Sequence, residues 1–563
     1  MGRLLPIQAA DCNGCCPCSG NYDWQSRRDS CIPSAVPAKP SQLKRRHRAL
    51  CFDRAFPASA ARYRAAVASL GTFADELAAL PRTARAQLAD TGIAGTAIYY
   101  RFSYPVARWL ARKAPGAVSI DWRDIDDTTR LDELLALLVL AAEDDYFDSG
   151  YVSSREWIDT ARAGAAGTDF DWLLAQLGDP RARRFWASLY DAADLPLVWK
   201  LANSAFSVST NCVAGGRPQI RSAGLRRRPR KPKQEIQRPL ASLRRVPERD
   251  GNALIDVAMA SLAVRHRETW HFNFANPREV YLADVGEGVA VAVFGLLPAH
   301  RFPLETTMGY LILANGVPIG YGGSSILFRQ VNTGINIFDE YRDSEASYLW
   351  VQVMRVYHAL TGCTRFIANP YQFGADNAEG LQSGAFWFYY RLGFRPIVAA
   401  VRRLAHAEAM KIRRNSKYRC DLPTLRKLAS CDLHLVLPGA AASELFAEPW
   451  IDTSSMLASR VLGACAANTR SAAANRVAAN VARDLGIKSL QHWSADERRA
   501  FRNIAPFIAL TDCRQWAAAE RQALRSLLRA KGGDCEARYA RLLANHVRLR
   551  TALSRVCRRA EQE

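Results

Sequence analysis

The chain contains no apolar run approaching the roughly 18 to 20 residues that a bilayer-spanning helix requires. The longest candidates, residues 134–142 and 289–298, are short and flanked by charge, so membrane insertion is not expected. The start, Met-Gly-Arg-Leu-Leu-Pro, lacks the continuous apolar region of a secretory signal, and Pro6 stands where a myristoylation signal carries Ser or Thr. These absences point to the cytoplasm. Acidic residues are also short: 54 Asp and Glu face 76 Lys and Arg, a formal charge of +22. Such an excess can attract phosphates, nucleic acid, anionic lipid or an acidic substrate, or it can be a solvated arginine-rich surface. Arg outnumbers Lys several-fold and Ala is abundant, usage that suggests a GC-rich bacterial genome as much as a selected binding face.

Of the 14 cysteines, six fall in the first 51 residues and eight are scattered from Cys212 to Cys557. The scattered ones read as reduced, buried small hydrophobes. The cluster Cys12, Cys15, Cys16 and Cys18, with Cys31 and Cys51 beyond, includes no histidine, and no partner pair at zinc-ribbon spacing follows it. No metal is therefore expected, and residues 1–41 read as a Cys-rich, disordered tail.

With 49% hydrophobic residues over 563 positions, the chain has material for two to four domains. Residues 42–214 carry helical spacing, with apolar residues three and four apart at 61–79, 130–142, 170–177 and 181–191. They are expected to form an α-helical domain. The acidic run 143–148 within it suits helix ends on a solvated face. Residues 215–250 turn basic and proline-punctuated, with almost no apolar side chains, and are expected to be a linker or exposed loop. Six of the eight residues 226–233 are basic, enough to grip phosphates. No aromatic residues interleave to stack on bases, so nucleic acid is not the favoured partner.

From 251 to 438 the period changes. A helix over 256–266 precedes strands at 280–284 and 289–294, and the runs 308–313 and 317–321 meet across Ala314-Asn315-Gly316. Asn-Gly between strand-like runs is a strong hairpin signal. A strand over 334–338, an amphipathic helix over 346–360, a strand over 365–368 and a further helix complete an α+β unit. Residues 439–563 return to alanine-rich helices at 458–484, 495–508, 515–530 and 536–558, with Lys531-Gly532-Gly533 as a helix stop. The expected fold class is thus α+β, a central mixed sheet with helices flanked by N-terminal and C-terminal α-helical domains.

The helix ending Gln382-x-x-Ala385-x-x-x-Tyr389-x-x-x-Gly393-Phe394, followed by a strand, resembles the closing motif of the GNAT superfamily of N-acetyltransferases, with Gln in place of Asn. The strand and helix order before it is similar to the second half of that fold, and the resemblance covers residues 280–401, about a fifth of the chain. It implies two parallel strands, here 333–338 and 365–369, that splay apart to admit the thioester arm of acetyl-CoA or another acyl-CoA. Ile337 and Phe338 would line that arm. The family's pyrophosphate cradle, Gln/Arg-x-x-Gly-x-Gly/Ala, aligns with residues 342–347. Arg342, Ser344, Ala346, Ser347 and Gln382 would then contact the cofactor, with helix-terminal amides facing the phosphates.

By the same resemblance Tyr389 is the candidate general acid for the departing thiolate, and Glu340 the candidate general base, with Asp339 and His358 behind it. His271, before the first strand, is a candidate for the acceptor mouth. Tyr371, Gln372 and Asn377 lie in the loop after the second splayed strand and are the candidate substrate-binding residues. The expected function is acyl transfer from acyl-CoA to an unidentified amine. The alternative keeps the fold and drops the reaction, giving a binding or scaffold protein without CoA binding. Glu345 and Ser347 occupy the two glycine positions, and carboxylates at 343 and 345 beside a phosphate would oppose it by roughly a kcal/mol.

Overall fold

The computed structural model describes residues 39–562 apart from 180–181, 203–204, 214–215, 227–228, 230, 343 and 442–443. Cys12 to Cys31, three cations of the basic run and Asp343 lie outside the described residues. The class is α+β, with helical segments at both ends of a mixed sheet. Among the described residues no helix is long and apolar enough to cross a membrane.

The N-terminal region, expected to be purely helical, contains a three-stranded antiparallel sheet. Strands β1 (Ala97–Tyr100), β2 (Val118–Ile120) and β3 (Leu197–Lys200) pair in the order β1-β3-β2. Each is three or four residues long, too short to show a period of two, and β3 joins from far along the chain. The expected helix over 61–79 is two helices, Ala60–Gly71 and Phe73–Ala78, divided at Thr72. The acidic run forms the short exposed helix Asp144–Phe147.

The basic segment is not an unpacked linker. It contains helix Pro232–Gln237, whose Ile236 is fully buried, and strand β4 (Ser242–Arg245). One apolar anchor and a backbone ladder are enough to order it, and Arg side chains suit an edge strand that must not recruit another chain.

The central sheet adds β5 (Ala275–Gly286), β6 (Val289–Leu296), β7 (Thr306–Ala314), β8 (Val317–Leu327), β9 (Gln330–Thr333), β10 (Asn336–Ile337), β11 (Arg365–Ala368), β12 (Arg395–Pro396) and β13 (Leu433–Val436). Its order is β12-β13-β11-β9-β8-β7-β6-β5-β4, with β10 beside β8. The β7-β8 turn is Asn315-Gly316, as the sequence indicates. Both residues take positive φ, 48° and 78°, as a two-residue hairpin requires. The β9-β11 pair is parallel and the others in the sheet are antiparallel.

Helix Ala346–Thr361 connects β10 to β11 and is buried along most of its length, stopping at Gly362 in the left-handed region (φ 76°). The N-terminal lobe and the central sheet share one apolar core. The C-terminal helices have their own core around Phe446, Phe501, Trp516 and Leu553. One of them, Glu536–Asn545, packs on the sheet, where a buried network ties it down: Arg301 to Glu279 at 2.9 Å and Lys531 to Glu536 at 2.6 Å.

Candidate functional site

Strand β9 runs alongside β11 through three register pairs, Gln330 with Arg365, Val331 with Phe366 and Asn332 with Ile367. The expected single strand over 334–338 is interrupted at Gly334 and Ile335. Beyond them β10 turns away, pairing Asn336 with Tyr321 and Ile337 with Gly320 of β8. Its other edge has no strand partner among the described residues. The bend is held from two sides. The Tyr310 hydroxyl, fully buried, donates to the Gly334 carbonyl. The Gln372 carboxamide packs against Gly334: its oxygen lies 2.0 Å from where a Cβ at 334 would stand, so a side chain there would push the Gln372 carboxamide aside.

A cleft of about 1810 Å³ opens where the strands part. Ile337, Phe338, Glu340, Arg342, Ala346, Ser347, Tyr371, Gln372, Asn377, Gln382 and Tyr389 all line it. Of the expected cofactor and substrate contacts, Ser344 is not on the wall; it is buried, and its hydroxyl has no partner among the described residues.

Tyr389 is 3% exposed, wedged edge-on against Trp350, Phe373 and Phe394. Burial raises its phenol above the ordinary range, opposed by a hydrogen bond from the Ile335 amide at the strand bend. The phenol therefore stays protonated at neutral pH, the form a general acid needs.

At the mouth, helix Ala346–Thr361 opens with Leu349 bonding the Glu345 carbonyl at 2.9 Å. The Ala346, Ser347 and Tyr348 amides precede that first bond, and no acidic side chain occupies the first turn. Arg342 lies across the mouth, 2.8 Å from Asp339 and 3.0 Å from Glu379.

Glu345 does not face the phosphate position that its place in the motif implied. It is completely buried and turned away from the cleft, bonded to Arg221 at 3.0 and 3.2 Å and to the Arg226 amide. Arg221 is 5% exposed and has Glu287 as a second carboxylate at 3.5 Å. The expected repulsion is thus cancelled by a guanidinium from a segment 124 residues away.

Among the base candidates, Glu340 is locked to Arg265 at 3.2 Å. Burial pushes its carboxyl up, but the Arg265 charge and hydrogen bond outweigh burial and the net shift is downward, so it is an ionised and weak base. Asp339 is exposed and paired with Arg342. His358 sits at the far end of its helix, bonded to the Cys363 carbonyl at 2.7 Å, away from the cleft. His271 is also outside the cleft: its ring lies buried on Gly309 and Gly323, with neither nitrogen bonded among the described residues, and burial lowers its pKa to about 4. Asn377 has a structural duty, capping helix Ala378–Gln382 through Gly380 at 2.9 Å and holding the Tyr371 carbonyl at 2.9 Å.

Two further walls were not legible in the sequence. Lys44, His47, Arg48, Asp90 and the turn Arg265-His266-Arg267 come from the N-terminal lobe and the helix that follows it, and Ile412, Tyr418 and Arg419 from the excursion between β12 and β13. His47 is buried, bonded to the Ser209 hydroxyl at 2.8 Å, and burial lowers its pKa to about 4. Among the described residues seven Lys or Arg and four Asp or Glu line the cleft, a net positive wall suited to an anionic ligand. Comparison with family models, curated proteins and solved structures returned no match.

Proposed function

We propose that the cleft is an acyl-CoA site and that the chain is an acyltransferase of the N-acetyltransferase type, moving an acyl group to an amine. The observation that carries this reading is the parting of β9-β10 from β11 after Asn332 and Ile367, with the cleft in the gap and the buried Tyr389 hydroxyl at its base. An extended thioester arm can bond the open edge of β10 in place of a strand. The amides of Ala346 and Ser347 and the Arg342 guanidinium line the same cleft and would meet the phosphates. Attack by a neutral amine builds negative charge on the thioester oxygen, which a strand amide can stabilise, while Tyr389 returns a proton to sulfur.

The non-catalytic alternative draws on one observation, the Arg265 clamp that leaves Glu340 a poor base. Calorimetric titration with acetyl-CoA and longer acyl analogues tests the binding half, and thiol release in the presence of amines tests the reaction. Folded protein that binds none of these ligands would end the acyl-CoA reading; binding without release would favour the alternative.

A further inference from the structure

After helix Glu248–Ala263 the chain makes a tight turn through Arg265, His266 and Arg267, all three on the cleft wall. His266 is in the left-handed region at φ 55°, and facing it is Asp90, also left-handed at φ 60°. Non-glycine residues held there carry strain, and such strain collects at binding and catalytic sites. The two side chains meet, His266 Nε2 lying 3.3 Å from Asp90 Oδ1, and the imidazole stacks on Tyr100 at 4.9 Å with the rings 2° from parallel. Arg265 is equally committed. It bonds Glu340, donates to the Ser261 carbonyl at 2.8 Å and covers the Phe338 ring at 4.1 Å.

Arg267 differs from both. It is half-buried on the cleft wall, and among the described residues no carboxylate or carbonyl accepts from its guanidinium. Tyr321, the β8 residue paired with Asn336 of β10, lines the same cleft, so Arg267 shares its wall with the strand on which the thioester would lie. Arg342 and Ala346 stand instead at the start of the helix that follows. A cation drawn partly out of water without a partner is costly, and a planar guanidinium is suited to a carboxylate held by two parallel bonds. Lys44 is a further cation on the cleft wall.

We propose that Arg267 receives a carboxylate on the acceptor, so that the acceptor class is an amine that also bears a carboxylate, a free amino acid or the end of a short peptide. The proposal rests on the acyltransferase reading for the reaction, and its anion site can be measured without it. The probes are N-acetyl amino acids, which resemble the product, and the matched N-acetyl amino acid amides, which lack the charge. Both sets are titrated into the full chain by calorimetry, alongside acetyl-CoA, for the wild type, Arg267→Gln and Arg267→Lys, with urea midpoints confirming that each variant is folded.

The expected result is that at least one acid binds the wild type about tenfold or more tighter than its amide. Arg267→Gln removes that preference, Arg267→Lys keeps part of it, and acetyl-CoA affinity is unchanged in both. Equal binding of acids and amides, or no binding of either, overturns the proposal. So does a loss confined to acetyl-CoA in Arg267→Gln, which would assign Arg267 to the phosphates. Acid binding that depends on Arg267 in a protein that ignores acetyl-CoA would leave the anion site standing and remove the acyltransferase reading.

Discussion

Replacing Glu345 with alanine leaves Arg221 charged and 5% exposed, stripped of the two bonds at 3.0 and 3.2 Å that neutralise it. Removing one partner of a buried pair costs about 3 to 5 kcal/mol, because the remaining ion keeps its desolvation penalty without compensation. Glu287 Oε2, 3.5 Å from Arg221, can take over part of the charge, and it is more exposed than Glu345. The expected loss is therefore near the lower end, about 3 kcal/mol. The Arg226 amide also loses its acceptor, which works in the same direction. Urea unfolding followed by circular dichroism reads the effect as a lower midpoint. The double variant Arg221→Met/Glu345→Leu should recover most of the loss, since a well-packed apolar pair can replace a buried ion pair at little cost. There is a functional counterpart. A carboxylate that faced the phosphates would tighten acetyl-CoA when removed, whereas the buried geometry predicts no tightening in either Glu345→Ala or Glu345→Gly. An unchanged midpoint together with tighter acetyl-CoA binding would refute the reasoning.

Tyr389→Phe is expected to slow acyl transfer about tenfold or more while leaving acetyl-CoA affinity unchanged, since only proton return to sulfur is lost; equal kcat values would remove the acid from the account. Gly323→Ala would put a Cβ 2.0 Å from the His271 ring and should cost about 1 to 3 kcal/mol in urea midpoint. Adding His271→Ala should recover part of that, and a loss identical in both backgrounds would contradict the packing described. His271 and His47 are buried and neutral, with pKa values lowered to about 4 from 6.5. Each should therefore contribute stability that is present above pH 6.5 and lost as pH falls toward 4, roughly 3 kcal/mol apiece. His271→Leu should flatten the fall in urea midpoint between pH 7 and 4.5, and a slope equal to that of the wild type would contradict it.

The residues that were legible in advance are those whose signal is local. Asn315-Gly316 identified its hairpin because positive φ at two consecutive positions restricts residue choice. The spacing from Gln382 to Phe394 located a buried aromatic helix end whose Tyr389 reaches the strand bend. Eleven residues chosen on that basis share one cleft wall, because β10, the helix after it, and the loop and helices that follow β11 are brought together around one gap.

What could not be read depends on distant partners. The fate of Glu345 is decided by Arg221, which no periodicity connects to it, so its sequence position suggested repulsion where the fold makes a bridge. Strands β1 to β3 are too short for alternation to appear, and β4 is ordered by β5 rather than by its own composition. The helices expected over 458–484 and 536–558 are each two, divided near Cys465 to Thr469 and at His546, where capping geometry rather than apolar spacing sets the break. Arg267 likewise looks like one arginine among many until its neighbours at 265 and 266 are seen to be paired.

The central claim is that the gap between β10 and β11 holds the acyl-CoA arm, and amide hydrogen exchange tests it at the atoms concerned. Acetyl-CoA should slow exchange at Ile337, whose amide alternates with that of Phe338, bonded to the Ile319 carbonyl of β8 at 3.0 Å, and so faces the open edge of β10, and at Ala346, Ser347 and Tyr348, in the first turn of the following helix. Amides of the C-terminal helices should be unaffected. Acetyl-CoA that fails to bind, or that binds and protects a different surface while Ile337 and residues 346–348 exchange as before, would contradict the account.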